Sequence, residues 1–351
     1  MVRGVLKSSD ASCEGGRASC YKPVLCYTYM VMTLTIILFI LGFVFLIKGA
    51  DLLVDGSAAL ARKLRISNLV IGLTIVSFGT SLPEMVVNLF ASAEGNTDLA
   101  IANILGSNIA NILLILGVSA VIIPLCVPKG TVWREIPFSL LAVLVLAILA
   151  NDALLNGMGF DLISRSDGMV MMTFLVLFMY YIFQLAKSER KKNIIKEEDG
   201  PSTGKSILFL GLGLAALIAG GNWVVDGAVS IAKFLGMSTA YIGLTVVAIG
   251  TSLPELVTSA VAAYKNNPQL AVGNAVGSNI FNILWILGLS ALIRPLPFAA
   301  ASNFDLIAVI TATLLLFIWM FVGKKRMLER WQGAMFLFCY AGYIIFITIR
   351  G

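Results

Sequence analysis

Gly72-Leu-Thr-Ile-Val-Ser-Phe-Gly-Thr-Ser-Leu-Pro-Glu84 returns later in the chain as Gly243-Leu-Thr-Val-Val-Ala-Ile-Gly-Thr-Ser-Leu-Pro-Glu255. A second pair follows, Asn103-Ile-Leu-Gly-Ser-Asn-Ile-Ala-Asn111 and Asn274-Ala-Val-Gly-Ser-Asn-Ile-Phe-Asn282. Both pairs are separated by the same 171 positions, as are Val54-Asp55-Gly56 and Val225-Asp226-Gly227, and Ser67 and Ser238. Such a constant offset means duplication, so the chain is two copies of one unit.

The residues around these motifs are those of a membrane protein. Of 351 residues 59% are hydrophobic and only 13% charged, where a soluble domain carries about 25% charged residues. Mean hydropathy is +0.94. Apolar runs such as Ile136–Ala150, Met169–Ala186 and Leu306–Val322 approach the ~20 residues a helix needs to cross ~30 Å of hydrocarbon. They predict helices at roughly 30–50, 67–93, 98–122, 133–151 and 168–187 in the first half. The second half reads 205–232, 238–264, 269–293, 303–322 and 332–349. The fold class is therefore an all-α polytopic membrane protein with ten transmembrane helices in two five-helix repeats. An odd number per repeat forces the copies into opposite orientations, with a site expected near the midplane where they meet.

Charge sorts the connectors accordingly. With the N-terminus outside, the inner connectors hold Arg62, Lys63, Arg65, Lys129, Arg134, Lys265, Lys324, Lys325, Arg326 and Arg330. The central loop adds Lys187, Arg190, Lys191, Lys192, Lys196 and Lys205. This is the positive-inside pattern of a multi-pass protein of the cell membrane with a cytoplasmic central loop. The pI of 9.1 thus orients helices and does not indicate a nucleic-acid partner. The domains read as a first repeat over 30–187, a cytoplasmic linker over 188–204 and a second repeat over 205–351. Residues 1–29 are polar, and Met30 and Met32 stand before the first apolar run. They are expected to be a disordered tail or not native. No obligate protein partner is evident.

Five cysteines without CxxC spacing, and no histidine at all, leave no zinc pattern and no Ser-His or Cys-His pair. The chain reads as a transporter, not an enzyme, and needs no cofactor. Within the apolar runs Glu84 and Glu255 are the ionisable residues at mid-helix depth. A carboxylate there persists by facing a cavity, pairing or binding a cation. Pro83 and Pro254 each remove an N–H and clash with the carbonyl four residues back, that of Gly79 or Gly250. Carbonyls over Ser77–Thr80 and Ala248–Thr251 are expected to be freed, and a second break is expected at Gly106-Ser107 and Gly277-Ser278. Ser107 and Asn111 share a helix face, as do Ser278 and Asn282. Two carboxylates with hydroxyls, amides and carbonyls form a hard-oxygen set suited to Ca2+ and Na+ and not to soft metals. Asp55, Asp226, Asp51 and Lys48 read as interfacial or capping residues. A passive cation channel is the alternative from another class.

The doubled Gly-Thr-Ser-Leu-Pro-Glu and Gly-Ser-Asn-x-x-Asn motifs resemble the α-repeats of the calcium/cation antiporter superfamily. The resemblance is to its Na+/Ca2+ exchanger branch, prokaryotic type, over about residues 30–350. It implies a secondary active antiporter exchanging Na+ for Ca2+ by alternating access, with the two ions as substrates and the bilayer as surroundings. It also implies that Glu84 and Glu255 form the Ca2+ site with carbonyls near Thr80 and Thr251. Flanking Na+ sites would use Ser77, Thr80 and Ser107 on one side and Ala248, Thr251 and Ser278 on the other, with Asn111 and Asn282 completing the middle. Helices one and six are expected to slide across the rest. Several relatives, potassium-dependent exchangers among them, carry Asp where this chain has Asn282, so K+ co-transport is not expected. H+-coupled exchange of Ca2+ or another cation on the same scaffold is the alternative.

Overall fold

The computed structural model describes residues 18–157, 159–192, 202–234 and 248–350. The first repeat contains α1 (Ala18–Leu64), the bent pair α2a (Asn68–Thr80) and α2b (Leu82–Glu94), α3 (Thr97–Ile122), α4 (Lys129–Leu149) and α5 (Arg165–Lys192). The second contains α6 (Thr203–Phe234), α7a (Ala248–Thr251) with α7b (Leu253–Tyr264), α8 (Pro268–Ile293), α9 (Ser302–Trp319) and α10 (Arg330–Arg350). Among the described residues eight helices are long and apolar enough to span a membrane, and α2a with α2b makes a ninth span bent by 46°. The expected start of helix seven, including Ser238 and Gly243 to Val247, lies outside the described residues.

Two boundaries differ from the sequence reading. α1 does not stop near residue 50, and it begins inside the stretch read as a tail. Lys48, Asp51 and Asp55 end the apolar run, but the helix continues because Leu53, Val54, Leu60 and Ala61 carry its buried face onward. The linker is also shorter than expected: α5 runs to Lys192 and α6 starts at Thr203. Glu189, read as a linker residue, accepts hydrogen bonds from the Ser67 backbone N–H (2.8 Å) and hydroxyl (3.0 Å), tying the end of α5 to the start of α2a. Residues 193–201 lie outside the described residues.

Two tiny ribbons establish the inversion. β1 (Leu125–Cys126), between α3 and α4, pairs antiparallel with β4 (Met327–Leu328), between α9 and α10. β2 (Leu162–Ile163), between α4 and α5, pairs with β3 (Leu296–Pro297), between α8 and α9. Each connector thus meets the non-equivalent connector of the other repeat. Since α4 separates β1 from β2, the ribbons mark opposite ends of the bundle. Repeats of like orientation would bring equivalent connectors together; these do the reverse.

α3 and α8 form the centre, with 78% of their apolar stretches buried against 17–39% in the six other unbroken spans. α1 and α6 lie together on the flank, and Leu46, Leu53, Leu210 and Leu217 form a second apolar cluster that extends to Ile71, Val76, Ala262 and Leu270 of α2a, α7b and α8. Their contact is set by glycines seven residues apart: Gly42 faces Gly220, and Gly49 faces Gly213. A Cβ on Gly49 would sit 2.9 Å from the Gly213 carbonyl oxygen, and one on Gly213 only 2.7 Å from the Leu53 nitrogen. Small residues let the two backbones touch, a common device where lipid supplies no hydrophobic drive between helices.

Gly213→Val is therefore expected to destabilise the protein by about 1–3 kcal/mol through overpacking. Gly211→Ala, where a Cβ meets nothing within 4 Å, should be neutral or stabilising by up to ~1 kcal/mol. Thermal melting of the two variants in detergent checks the contrast.

Candidate functional site

The two Gly-Thr-Ser-Leu-Pro-Glu motifs break their helices at a single residue each. Ser81 (φ −82°, ψ 6°) separates α2a from α2b, and Ser252 (φ −88°, ψ 6°) separates α7a from α7b. Pro83 and Pro254 sit in the first turn of the new helix, where a missing N–H costs least. Glu84 and Glu255 follow in the same turn, both 1% exposed.

Two expectations about the backbone need correcting. The Ser77 carbonyl is not freed; it accepts the Ser81 N–H at 3.1 Å. Nor does the chain break at Gly106-Ser107 or Gly277-Ser278, since the α-helical stretches Thr97–Ile109 and Pro268–Phe281 run through both. The irregularity comes later, as π-helical segments at Ala110–Ile115 and Asn282–Leu287. Another lies at Gly72–Val76 in α2a. Wide turns of this kind shift helix register and gather at functional sites.

The motifs meet across the repeats. Ser252 Oγ donates to Glu84 Oε1 at 3.0 Å and lies 3.2 Å from Ser107 Oγ. In the other half Ser81 Oγ donates to Glu255 Oε1 at 3.0 Å and lies 3.1 Å from Ser278 Oγ. Thr80 Oγ1 reaches Asn274 Oδ1 at 3.1 Å, and Thr251 Oγ1 reaches Asn103 Oδ1 at 3.4 Å. The serine three residues before one glutamate therefore holds the other glutamate, and the two carboxylates interact electrostatically. Thr80 thus faces the second repeat's motif, while Ser107 bonds to Ser252. Ser77 Oγ donates to the Thr74 carbonyl at 3.2 Å and packs where a Cβ on Gly277 would stand. The side chain of Ala248 lies outside the described residues.

Sequence reasoning omitted Ser81, Ser252, Asn103, Asn274, Asn108 and Asn279 from the candidate ligands, yet all recur at the 171-residue offset. That recurrence was the available signal. Asp55 does not cap a helix: it lies inside α1 and pairs with Lys265 at 2.8 Å. Asp226 lines a cavity of about 340 Å³ between α2b, α6 and α7, whose walls include Val86, Gly221, Thr251 and Pro254. Glu135, fully buried at the start of α4, accepts a hydrogen bond from the Tyr181 hydroxyl.

Five buried carboxylate or carboxamide oxygens among the described residues have no hydrogen-bond partner. Four are Glu84 Oε2, Glu255 Oε2, Asn111 Oδ1 and Asn282 Oδ1; the fifth is Glu135 Oε2. The four form two repeat-related pairs on the elements just described. Each unsatisfied buried acceptor costs about 1–3 kcal/mol, more if charged. No cluster of three or more His, Cys, Asp or Glu exists among the described residues. A cation here would be held by two carboxylates and neutral oxygens.

A protein-family model described as "Sodium/calcium exchanger protein" matches residues 34–184 and 205–349, the two repeats. The chain is 32% identical over 346 residues to the sodium/calcium exchanger MaX1 of Methanosarcina acetivorans, covering 90% of this chain and 99% of that protein. It is 38% identical over 302 residues to the inner membrane protein YrbG of Escherichia coli (strain K12), covering 82% and 90%. A solved structure of the sodium-calcium exchanger NCX_Mj superposes with a TM-score of 0.77 at 36% identity, covering 90% of this chain and 99% of that one. Fold and broken helices define a cation antiporter of the membrane. The chain belongs to the sodium/calcium exchanger family, which transports Na+ and Ca2+ and is not a family of enzymes.

Removing either serine hydroxyl takes from the facing glutamate the hydrogen bond it accepts on Oε1. Ser252→Ala and Ser81→Ala are each expected to lower stability by about 1–3 kcal/mol in ion-free solution. Near-equal shifts in thermal midpoint are expected from the two-fold relation.

Proposed function

We propose that the chain exchanges Na+ for Ca2+ by alternating access at one site near the bilayer midplane, built around Glu84 and Glu255. The observation that carries this reading is the set of four buried, partnerless oxygens on Glu84, Glu255, Asn111 and Asn282. Two ionised carboxylates neutralise one Ca2+. Their free oxygens and the two amide oxygens supply part of the six to eight donors it takes. Thr80, Thr251, Ser107 and Ser278 stand beside them to complete the shell, and Ser77 and Ala248 border the flanking positions.

Coupling follows from competition. Two or more Na+ ions neutralise the same two charges, so Na+ and Ca2+ exclude one another from shared oxygens. An empty site carries uncompensated negative charge in a low-dielectric interior, which opposes movement past the apolar flank of the bundle. A loaded site lacks that barrier. The cavity lined by Val86, Gly221 and Thr251 gives access from the end marked by the β2–β3 ribbon. At the opposite end Ala50, Val54 and Thr258, which stand at positions equivalent to cavity-lining residues, are at most 2% exposed. Movement of the glycine-packed pair α1 and α6 exchanges these conditions. The positive-inside pattern places the N-terminus outside and the central loop in the cytoplasm of a cell membrane.

Vesicles reconstituted with the full chain are expected to take up 45Ca2+ when loaded with Na+, and not in the absence of a Na+ gradient. Uptake driven by a pH gradient alone, indifferent to Na+, would instead establish proton coupling. Glu84→Gln and Glu255→Gln should each reduce Ca2+ flux to about a tenth or less, as loss of a charged ligand implies. Wild-type flux in either would refute the site.

A further inference from the structure

Asn108 and Asn279 precede Asn111 and Asn282 by three residues and are fully buried with them. Asn282 Nδ2 donates to Asn108 Oδ1 at 3.0 Å, and Asn111 Nδ2 donates to Asn279 Oδ1 at 2.9 Å. The partners are anchored in turn: Asn108 Nδ2 reaches the Asn279 carbonyl and Asn279 Nδ2 the Asn108 carbonyl, both at 3.4 Å. A backbone carbonyl only accepts, so Asn108 must present its NH2 group there and its oxygen to Asn282. Asn282 must then present its own NH2 group to Asn108, which leaves Oδ1 free. The same logic fixes Asn111 through Asn279.

We infer that Asn108 and Asn279 are positioning residues: they set the amide orientation of Asn282 and Asn111 so that oxygen, and not NH2, is offered to the transported cation. This rests on the proposed ion site. An amide released from this restraint can turn its donor face to the ion, which repels it. Outer-shell partners of metal ligands commonly govern affinity in this way.

The test is Ca2+ titration calorimetry on the purified full chain, arranged as double-mutant cycles. Asn282→Ala and Asn108→Ala should each weaken Ca2+ binding by roughly 10-fold or more, and the double variant no more than the single ones. Asn279→Ala should be silent in Asn111→Ala and keep its effect in Asn282→Ala. A structural role would make the losses multiply, and that result overturns the inference. Wild-type Ca2+ binding in both Asn282→Ala and Asn111→Ala would instead overturn the site itself. Asn108→Leu, closer in volume, carries the same cycle if alanine prevents folding.

A second feature stands on separate contacts. Lys265, beyond α7b, bonds Asp55 at 2.8 Å and Asp51 at 3.2 Å on α1, and its Nζ also reaches the Asp51 carbonyl at 3.3 Å. Partial burial lowers the Lys265 pKa, but the hydrogen bonds and charges of Asp55 and Asp51 outweigh this and raise it, so the amine stays charged. These contacts lie at the closed end. At the open end the positions equivalent to Lys265, Asp51 and Asp55 hold Glu94, Asn222 and Asp226, which offer no cation. We propose that this ion pair is a one-sided latch that favours closure at the β1–β4 end. Half-exposed ion pairs are individually weak, so the effect is a several-fold change in population.

Reporter cysteines placed by Ala50→Cys and Gly221→Cys, in a chain whose five cysteines are replaced by serine, read the two ends. Lys265→Gln should speed labelling by a charged thiol reagent several-fold at position 50 and slow it at position 221, while Lys265→Arg should do neither. Joint reversal, Lys265→Asp with Asp55→Lys, should restore the original rates. Rates unchanged by Lys265→Gln at both reporters overturn the latch.

Discussion

Two carboxylates placed where water cannot reach them constrain everything else in this molecule. Burying even one ionised group without compensation costs several kcal/mol, and here Glu84 and Glu255 are each bonded by the serine three residues before the other. The protein supplies each with one serine hydroxyl from the opposite repeat and leaves its second oxygen without a partner. Complete satisfaction by the protein would give a more stable bundle with nothing to bind. Partial satisfaction leaves one buried acceptor on each carboxylate, the feature on which the proposed ion site rests.

The inverted duplication is what allows two such carboxylates to meet. One broken helix contributes one glutamate, and antiparallel copies bring both breaks to the same depth. Each break also offers its serine to the other repeat's glutamate, so neither half is complete alone. The central helices α3 and α8 carry Asn111 and Asn282, whose Oδ1 atoms are likewise buried without a partner. α1 and α6 carry none of these side chains. Their glycine seam sets them close against each other, and their apolar cluster reaches Ile71, Val76, Ala262 and Leu270 of the neighbouring helices.

Symmetry of sequence does not extend to symmetry of surroundings. One end of the bundle holds a cavity reaching Thr251 and Pro254, while at the other end Ala50, Val54 and Thr258, equivalents of three of its lining residues, are at most 2% exposed. The equivalent of Lys265 is Glu94, so the two closures differ in chemistry even though the helices that make them are related.

Much of this was legible in the residues. The offset between motifs, the apolar runs and the alternation of basic connectors require two opposed five-helix units, because backbone in hydrocarbon must be helical and charge stays at the surface. Glu84 and Glu255 stood out for the same reason. What tertiary structure decided is which groups face which. The exchange of Ser81 and Ser252 between repeats depends on contacts between residues 145 and 174 positions apart. The orientation of an asparagine amide depends on its neighbour's neighbour. Local sequence determines where a helix can bend and where a charge cannot be left alone; only packing determines which oxygen remains without a partner.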